Sequence, residues 1–237
     1  MADAMLSVRG LNAHYGRAHI LHDVELHLAR GEVVALLGRN GAGKSTIMKS
    51  IMGLLPRRRG RIEFHGRDVG PLRPYQISRL GLAYVPEERR IFAGLTVLEN
   101  LEVGRRAGEG SADPWTPERL FALFPNLGER RRADGARLSG GEQQMLTVAR
   151  ALMGNPQAIL LDEPSEGLAP IIVEQMANAV KALKAAGLSI LLSEQNLYFA
   201  HQVSDRAYVV DRGRIRYEGR LDAIMADENI RRAHLAV

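Results

Sequence analysis

The segment Gly38-Arg39-Asn40-Gly41-Ala42-Gly43-Lys44-Ser45-Thr46 fits the pattern G-x-x-x-x-G-K-[ST], and it decides the fold. It follows the apolar run 33–37, which predicts a buried strand, and it leads into a helical pattern that begins near Lys44. Glycines let the backbone curl so that consecutive N–H groups converge on an anion, and the helix adds the positive end of its dipole. A strand, a glycine-rich loop and a helix in this order predict a phosphate-binding loop.

Two side chains of this loop have specific expected roles. Lys44 would contact the β- and γ-phosphates of a nucleotide, and the Ser45 hydroxyl would bind Mg²⁺. The other expected nucleotide-binding residues of the loop are Gly38, Asn40, Gly41, Ala42, Gly43 and Thr46. A structural turn with an incidental lysine is the alternative, but it leaves the flanking strand and helix unexplained.

Two carboxylates follow a second buried strand, in the run Ala158-Ile159-Leu160-Leu161-Asp162-Glu163. Asp162 would hold Mg²⁺ through water, and Glu163 would polarise a water molecule for in-line attack on the γ-phosphate. By itself, an acidic pair before Pro164 is usually a helix cap. Together with the phosphate loop it indicates nucleotide hydrolysis. ATP is favoured over GTP, because the sequence contains no N-K-x-D segment of the kind that guanine-specific folds use.

The rest of the sequence predicts the α/β class. The chain has 237 residues, of which 46% are hydrophobic and 25% charged, so one large domain with a proper core is expected. Short apolar runs alternate with helical patterns, which is typical of a mostly parallel sheet covered by helices. Residues 86–157 carry no strand signal, and capping patterns at Thr96, Thr116 and Ser139 predict three helix starts there. Residues 107–114 are expected to form a flexible surface loop.

Composition excludes several other classes of protein. Apolar runs fall short of the roughly 18 residues that a membrane span requires, and the N-terminus lacks signal-peptide features, so a cytoplasmic location is expected. The absence of cysteine excludes disulfides and thiol catalysis, and the seven histidines lack metal-binding spacing. The net charge of +5 includes the arginine runs 57–59 and 130–132. Such short runs are more often solvated faces or protein-docking rims, so no nucleic-acid partner is expected.

The segment Leu138-Ser139-Gly140-Gly141-Glu142-Gln143-Gln144 lies shortly before the Asp162-Glu163 strand, and this combination resembles the signature of the ABC (ATP-binding cassette) ATPases. A helix N-terminus with a serine and two glycines offers N–H groups and a hydroxyl to a phosphate. In that family the phosphate belongs to ATP held by the other subunit of a dimer. The signature residues that the resemblance implies as nucleotide contacts are Ser139, Gly140, Gly141 and Glu142. An ordinary capped helix would not explain two glycines, each costing about 1 kcal/mol of helix stability.

The resemblance covers almost the whole chain and implies one nucleotide-binding domain, 1–237, with the P-loop NTPase fold. Residues 1–86 and 156–237 would form a RecA-like core with an antiparallel β subdomain, and about residues 87–155 an inserted α-helical signature subdomain. Tyr15 matches the family aromatic that stacks on adenine, although a lone tyrosine in such a β-rich start is most often core packing. Residues 165–168 stand where the family has its D-loop, at the dimer seam.

Further segments look like the LivF-type ATPases of branched-chain amino acid importers, and they are Tyr84-Val85-Pro86-Glu87, Leu95-Thr96-Val97-Leu98-Glu99-Asn100-Leu101, Gly167-Leu168-Ala169-Pro170 and Glu194-Gln195-Asn196. The resemblance implies ATP and Mg²⁺ as cofactors, two transmembrane permease subunits, a solute-binding protein outside the membrane, and a second ATPase subunit, either related or identical. The chain would then lie on the inner face of the cell membrane, held by the permease. Importers of urea, short amides and aromatic acids use similar subunits. DNA-repair and regulatory ABC ATPases are an alternative class, but they carry long coiled coils or two cassettes.

Two positions depart from the general ABC pattern. Glu87 stands in place of the usual Q-loop glutamine, and Gln195 stands in place of the usual switch histidine. The resemblance implies a metal contact for Glu87 and a catalytic role for Gln195, whose amide cannot change charge near neutral pH as histidine can. Glu166 and Ser193 replace expected apolar residues, and neutral variation is the simplest interpretation.

Residues 87–100 are expected to form much of a permease-facing groove. A short helix of the permease would dock there, with Phe92 and Leu95 as apolar contacts and Arg89 and Arg90 as rim charges. A simple surface connector is the alternative for this stretch.

Lys44→Ala should abolish useful ATP binding, because it removes the one mobile cation that faces the β- and γ-phosphates in a site otherwise built from N–H dipoles. Calorimetric titration of the variant with ATP and Mg²⁺ measures the loss. Unchanged affinity and turnover would show that the phosphate site is misassigned.

Overall fold

Two β-sheets organise the computed structural model, which describes residues 4–106 and 114–235. The strands are β1 (Ala4–Tyr15), β2 (Ala18–Ala29), β3 (Val33–Leu37), β4 (Arg58–Phe64), β5 (Arg67–Asp68), β6 (Leu82–Val85), β7 (Ala158–Asp162), β8 (Ser189–Glu194), β9 (Arg206–Asp211) and β10 (Arg214–Gly219). The α-helices are α1 (Lys44–Ile51), α2 (Pro74–Arg79), α3 (Val97–Gly104), α4 (Pro117–Leu123), α5 (Pro125–Glu129), α6 (Gly140–Leu152), α7 (Pro170–Ala185), α8 (Leu197–Val203), α9 (Leu221–Ala226) and α10 (Glu228–Ile230). Strands and helices alternate along much of the chain, as the α/β prediction requires.

The larger sheet has the strand order β10-β9-β3-β8-β7-β6, and its strands from β9 to β6 are parallel. Every residue of β3, β7 and β8 is buried, because both faces of the sheet are covered. Parallel register places Leu37 beside Glu194 and Asp162 beside Ser193. The carboxyl ends of three central strands therefore meet at one edge of the sheet, where open α/β sheets bind ligands.

The smaller sheet is antiparallel, with the order β2-β1-β4-β5. It packs with α1 against one face of the larger sheet, and alternate residues of β3 serve the two faces. Val34 and Leu36 belong to the core shared with the smaller sheet, whereas Val33, Ala35 and Leu37 belong to the core shared with the helices of the opposite face. Strand β3 thus packs on both faces, against two hydrophobic cores. This packing fixes the position at which the phosphate loop begins.

Helices α3 to α6 lie between β6 and β7, and the three predicted helix starts are confirmed. Thr96 and Ser139 are both N-caps of capping boxes, and the Thr116 hydroxyl accepts from the Arg119 N–H (3.3 Å). In the Ser139 box the serine N–H donates to Glu142 Oε2 (2.7 Å), and the Glu142 N–H donates to Ser139 Oγ (3.3 Å). Of the surface loop predicted at 107–114, residues 107–113 lie outside the described part of the chain.

None of the helices described in 4–106 and 114–235 is long and apolar enough to span a bilayer.

Candidate nucleotide-binding and catalytic site

The phosphate loop connects β3 to α1 and leaves the helix N-terminus open to an anion. Gly43 is the N-cap of α1 and adopts φ +112°, and no side chain caps the helix. A Cβ at Gly43 would lie 2.9 Å from Leu21 Cδ2, and one at Gly38 would collide with the carbonyl oxygen of Val210. Glycine is therefore required here both for the left-handed backbone and for close packing. The first N–H groups of α1 remain available to a phosphate.

Lys44 is buried, and oxygen atoms surround its ammonium group. Lys44 Nζ lies 2.9 Å from Glu163 Oε1, and it donates to the carbonyl oxygens of Gly38 (2.7 Å) and Arg39 (3.2 Å). Both side chains of the ion pair are about 95% buried, with exposures of 4% and 5%. A buried charge pair is stable only when further hydrogen bonds satisfy it, and the two carbonyls do so. The ammonium group therefore has three oxygen partners, of which only Glu163 belongs to a side chain.

Asp162 is buried at the end of β7 and accepts hydrogen bonds from three hydroxyl groups. Ser45 and Ser193 donate to Oδ1 at 2.9 and 2.7 Å, and Tyr84 donates to Oδ2 at 2.9 Å. Burial, together with the negative charge of Asp162, raises the pKa of Tyr84, so its hydroxyl remains a donor at neutral pH. The structure thus brings the two predicted metal-binding residues, Ser45 and Asp162, into direct contact.

The oxygen ligands at this point suit Mg²⁺. A serine hydroxyl and a carboxylate are hard donors, and Mg²⁺ in phosphate sites typically keeps several waters and takes few protein ligands. Within the described residues, no group of three or more histidines and acids is arranged to hold a metal by itself. Ser45 and Asp162 are therefore suited to share an ion with a bound nucleotide, not to form a closed protein cage.

Glu163 and Gln195 meet at the same edge of the sheet. Glu163 has the left-handed backbone φ of +50°, unusual for a residue other than glycine. Its N–H donates to Ser193 Oγ (3.0 Å). Gln195 Nε2 donates to Asn40 Oδ1 (2.6 Å) and lies 3.5 Å from Glu163 Oε2. The amide therefore links the phosphate loop to the predicted base, and its catalytic role stays a prediction.

A family model described as ABC transporter matches residues 21–166, which include the phosphate loop, the signature segment and Glu163. This match covers more than half of the chain. The chain belongs to the ABC transporter family. It is an ATP-binding subunit, and ATP hydrolysis is the reaction of this family. Subunits of this kind typically work with permease subunits.

Curated relatives cover nearly the full length of the chain. The high-affinity branched-chain amino acid transport ATP-binding protein BraG of Pseudomonas aeruginosa is 40% identical over 231 residues, which are 98% of this chain and 99% of that relative. The probable branched-chain amino acid transport ATP-binding protein LivF of Archaeoglobus fulgidus is 34% identical, covering 98% and 99%. The lipopolysaccharide export system ATP-binding protein LptB of Escherichia coli is also 34% identical, covering 98% and 97%. The chain is therefore homologous to ATPases of branched-chain amino acid transport, with an export ATPase also among its relatives.

Solved structures confirm the predicted fold. An ATP-binding subunit of an ABC transporter superposes with a TM-score of 0.82 at 33% identity, covering 98% of this chain and 96% of that chain. An ATP-binding cassette in its ADP conformation gives a TM-score of 0.81 at 29% identity, covering 96% of both chains. The P-loop NTPase architecture and the capacity to bind a nucleotide follow from these similarities.

Tyr15 of this ABC ATPase subunit lies at the end of β1 and is 46% exposed, so the core-packing alternative is wrong. The turn beside it is held by Arg57, whose Nη1 donates to the carbonyl oxygen of Gly16 (2.6 Å). The next arginine of the run, Arg58, donates to the carbonyls of Leu55 (2.9 Å) and Gly70 (2.7 Å). Both arginines thus bind loop carbonyls, while Arg57 and Arg59 are exposed, as the solvated-face interpretation of this run predicts.

The signature segment forms the N-terminus of α6, where Ser139 is the N-cap and Gly140 and Gly141 are the first two helical residues. A Cβ at Gly140 would collide with the Arg89 guanidinium, and one at Gly141 would lie 2.8 Å from Ile172 Cγ2. Close packing against Ile172 thus favours glycine at position 141, whereas the flexible Arg89 side chain could move aside for a Cβ at position 140. Glu142 completes the capping box, and its Oε1 pairs with Arg130 Nε (3.2 Å).

Glu87 is exposed and faces a concentration of negative charge. Partial burial raises the pKa of its carboxyl, and the charges of Glu166, Asp162 and Glu163 raise it further. This acidic environment would attract a cation, but the contact of Glu87 with a metal stays a prediction.

Glu194 is a member of the site that sequence reasoning missed. It is 1% exposed, and its carboxylate accepts from the N–H groups of Ser165 (3.0 Å) and Asn196 (3.3 Å). Burial raises the pKa of Glu194 to about 7, and the charge of Glu163 adds to the shift. Glu194 therefore joins the D-loop to the segment that carries Gln195. A glutamate at the end of the strand, directly after the apolar run 190–192 and Ser193, was the available signal.

Glu163→Gln should bind ATP about tenfold more tightly, a gain of about 1.4 kcal/mol, because Lys44 no longer has a carboxylate partner to release. Turnover should fall by about a hundredfold or more, since an amide cannot accept the proton of water. Calorimetry and single-turnover assays measure the two effects, with the exposed pair variant Glu102→Gln as the control. Hydrolysis at the parent rate would exclude Glu163 as the base.

Glu194→Gln should increase the free energy of unfolding, relative to the parent, by more at pH 8 than at pH 5. The folded-state pKa of about 7 exceeds the ordinary 4.5, so the folded protein binds a proton in this window that the unfolded chain does not. Stability of the parent is therefore lost as pH rises from about 4.5 to 7, by at most about 3 kcal/mol from this group. Urea unfolding at both pH values measures the difference, and the exposed Glu129→Gln should show none. An equal effect of Glu194→Gln at both pH values would contradict the assignment.

Proposed function

We propose that the chain is the ATP-hydrolysing subunit of an importer for branched-chain amino acids or similar small solutes, acting through a separate permease. The observation that carries the proposal is the meeting of Lys44, Asp162, Glu163 and Gln195 at one edge of the sheet. The 40% identity to BraG, over nearly the whole of both chains, supports the solute class. Urea, short amides and aromatic acids are the alternative solutes.

In this proposal, ATP binding replaces the Glu163 carboxylate with phosphate oxygens as the partner of Lys44. The phosphate-loop N–H groups and Lys44 bind the β- and γ-phosphates, and Lys44 releases Glu163 as it does so. Ser45 and Asp162 would hold Mg²⁺, with Glu87 as a further contact, and such an ion would supply positive charge beside the phosphates. The released Glu163 carboxylate accepts the proton of the attacking water. Gln195, already near Asn40 and Glu163, donates a neutral hydrogen bond that orients phosphate and water.

The working unit would be a dimer with a second ATPase subunit, either a related chain or a second copy. Tyr15 would stack on adenine of its own ATP. Signature residues 139–142 would face the phosphate of the partner's ATP, because α6 presents the N-terminus of a helix to the outside. Residues 87–155 would act as the helical signature subdomain, and residues 1–86 and 156–237 as the core.

A groove of mixed polar and apolar lining beside the helices is the proposed docking site for the permease, and of the side chains predicted to form it Phe92 lines it, whereas Leu95, Arg89 and Arg90 do not. The cavity has a volume of about 340 Å³, and its lining includes Pro86, Phe92, Val103 and Arg150. Phe92 is 47% exposed, and the Arg150 guanidinium lies 4.8 Å from the centre of its ring. Arg150 also donates to the carbonyl oxygen of Arg90 (2.6 Å). An aromatic side chain held in place at the mouth of a groove is a suitable anchor for a short helix.

This docking would place the chain on the inner face of the cell membrane. A solute-binding protein on the other side would deliver the solute to the permease. Reconstitution of the complex in proteoliposomes, with uptake of labelled leucine, urea and benzoate measured in parallel, tests the solute class. ATP-dependent leucine uptake supports the proposal. Uptake of another solute alone, or outward transport, would contradict it.

Phe92→Glu should prevent co-purification with the permease, because it places a charge on the apolar anchor of the groove. ATP binding by the isolated subunit should remain unchanged, since Phe92 lies outside the phosphate site. Leu54→Glu is the matched control, because Leu54 is also 47% exposed but does not line the groove. Equal recovery of the permease with Phe92→Glu and with the parent would exclude this docking site.

A further inference from the structure

A buried serine on β8 contacts both acidic residues of the site. Ser193 is fully buried, its hydroxyl donates to Asp162 Oδ1 (2.7 Å), and the same oxygen accepts from the N–H of Glu163 (3.0 Å). The parallel register of β7 and β8 produces this arrangement, because it sets Asp162 directly beside Ser193. One hydroxyl thus bridges the proposed metal carboxylate and the backbone of the proposed base.

The Ser193 hydroxyl acts as a donor in one of these hydrogen bonds and as an acceptor in the other. An O–H donates one proton and accepts another, whereas an apolar side chain at this position would do neither. The backbone oxygen of Ser193 also accepts from the Glu163 N–H, at 3.2 Å. Glu163 is therefore held by residue 193 through two acceptors while it keeps its left-handed backbone.

The three hydroxyl groups around Asp162 differ in position. Ser45 belongs to the phosphate loop and is the proposed metal ligand. Ser193 and Tyr84 lie on the strands that flank β7 on either side, and they contact different oxygens of the carboxylate. A carboxylate fixed at both oxygens from the protein side cannot rotate freely when an ion binds.

We propose that Ser193 is a positioning residue, whose hydroxyl orients the Asp162 carboxylate toward Mg²⁺ and sets the backbone of Glu163 for attack by water. The inference rests on the proposed roles of Asp162 and Glu163. Partners behind a metal ligand typically contribute a factor of about 10 to 100 in metal affinity. This role is the alternative to neutral variation at Ser193, and the two hydrogen bonds of its hydroxyl are the observations that favour it.

The test uses the full chain and measures ATP affinity by calorimetry in EDTA and over a Mg²⁺ series. Ser193→Ala should raise the half-maximal Mg²⁺ concentration about tenfold. It should leave ATP affinity in EDTA within about twofold and lower kcat more than it changes KM. Ser193→Thr keeps the hydroxyl and should restore the Mg²⁺ dependence. The control is Ser189→Ala on the same strand, where the buried hydroxyl accepts from the Gly31 N–H (2.8 Å) and does not touch Asp162.

Two outcomes overturn the inference. One is a parental Mg²⁺ dependence in Ser193→Ala, and the other is an equal shift in Ser189→Ala, which would show a general effect of losing a hydroxyl from β8. If Ser193→Ala does not fold, Ser193→Cys keeps the volume with a weaker donor and must show the same shift. Asp162→Asn distinguishes the metal site itself from the positioning role of Ser193. Retained Mg²⁺ dependence in Asp162→Asn would refute the metal site itself, whereas loss there with no effect of Ser193→Ala refutes only the positioning role.

Discussion

The parallel pairing of β3, β8 and β7 is the constraint on which the site depends. These strands are buried on every residue, so their hydrogen bonds and side-chain packing fix one register. That register brings the phosphate loop, Gln195 and Asp162–Glu163 to the same edge, although they are far apart in the chain. A slip of one residue in β8 would turn Ser193 away from Asp162 and would bury a different set of side chains.

At this edge of the sheet, each buried charged side chain has hydrogen-bonding or ion-pair partners. Lys44 is paired with Glu163, Asp162 with three hydroxyls, and Glu194 with two backbone N–H groups. Each partner offsets a desolvation cost that would otherwise amount to several kcal/mol per ion. The charges of Lys44 and Glu163 neutralise each other in this pair. In the proposed function, phosphate would replace the carboxylate as the partner of Lys44, and Glu163 would then be available for water.

Several residues of the site could not be inferred from local sequence. Ser193 is one serine in an apolar run, and only its neighbour across the sheet gives it a role. Arg57 belongs to a basic run that resembles a solvated surface, yet it ties down the turn beside Tyr15. In each case the decisive contact joins residues that are distant in sequence. Periodicity and motifs report local geometry, and they carry no information about such pairs.

The sequence by itself determined the phosphate loop, the capped start of α6, the acidic pair after β7 and the α/β class, because each depends on short-range patterns of glycine, apolar and capping residues. The tertiary structure alone decided how these pieces act on one another. It placed Glu163 on Lys44, Gln195 between Asn40 and Glu163, and the Ser193 hydroxyl between Asp162 and Glu163. The physical reason is that hydrogen bonds and ion pairs act over about 3 Å, so they are set by strand register and packing, not by spacing along the chain.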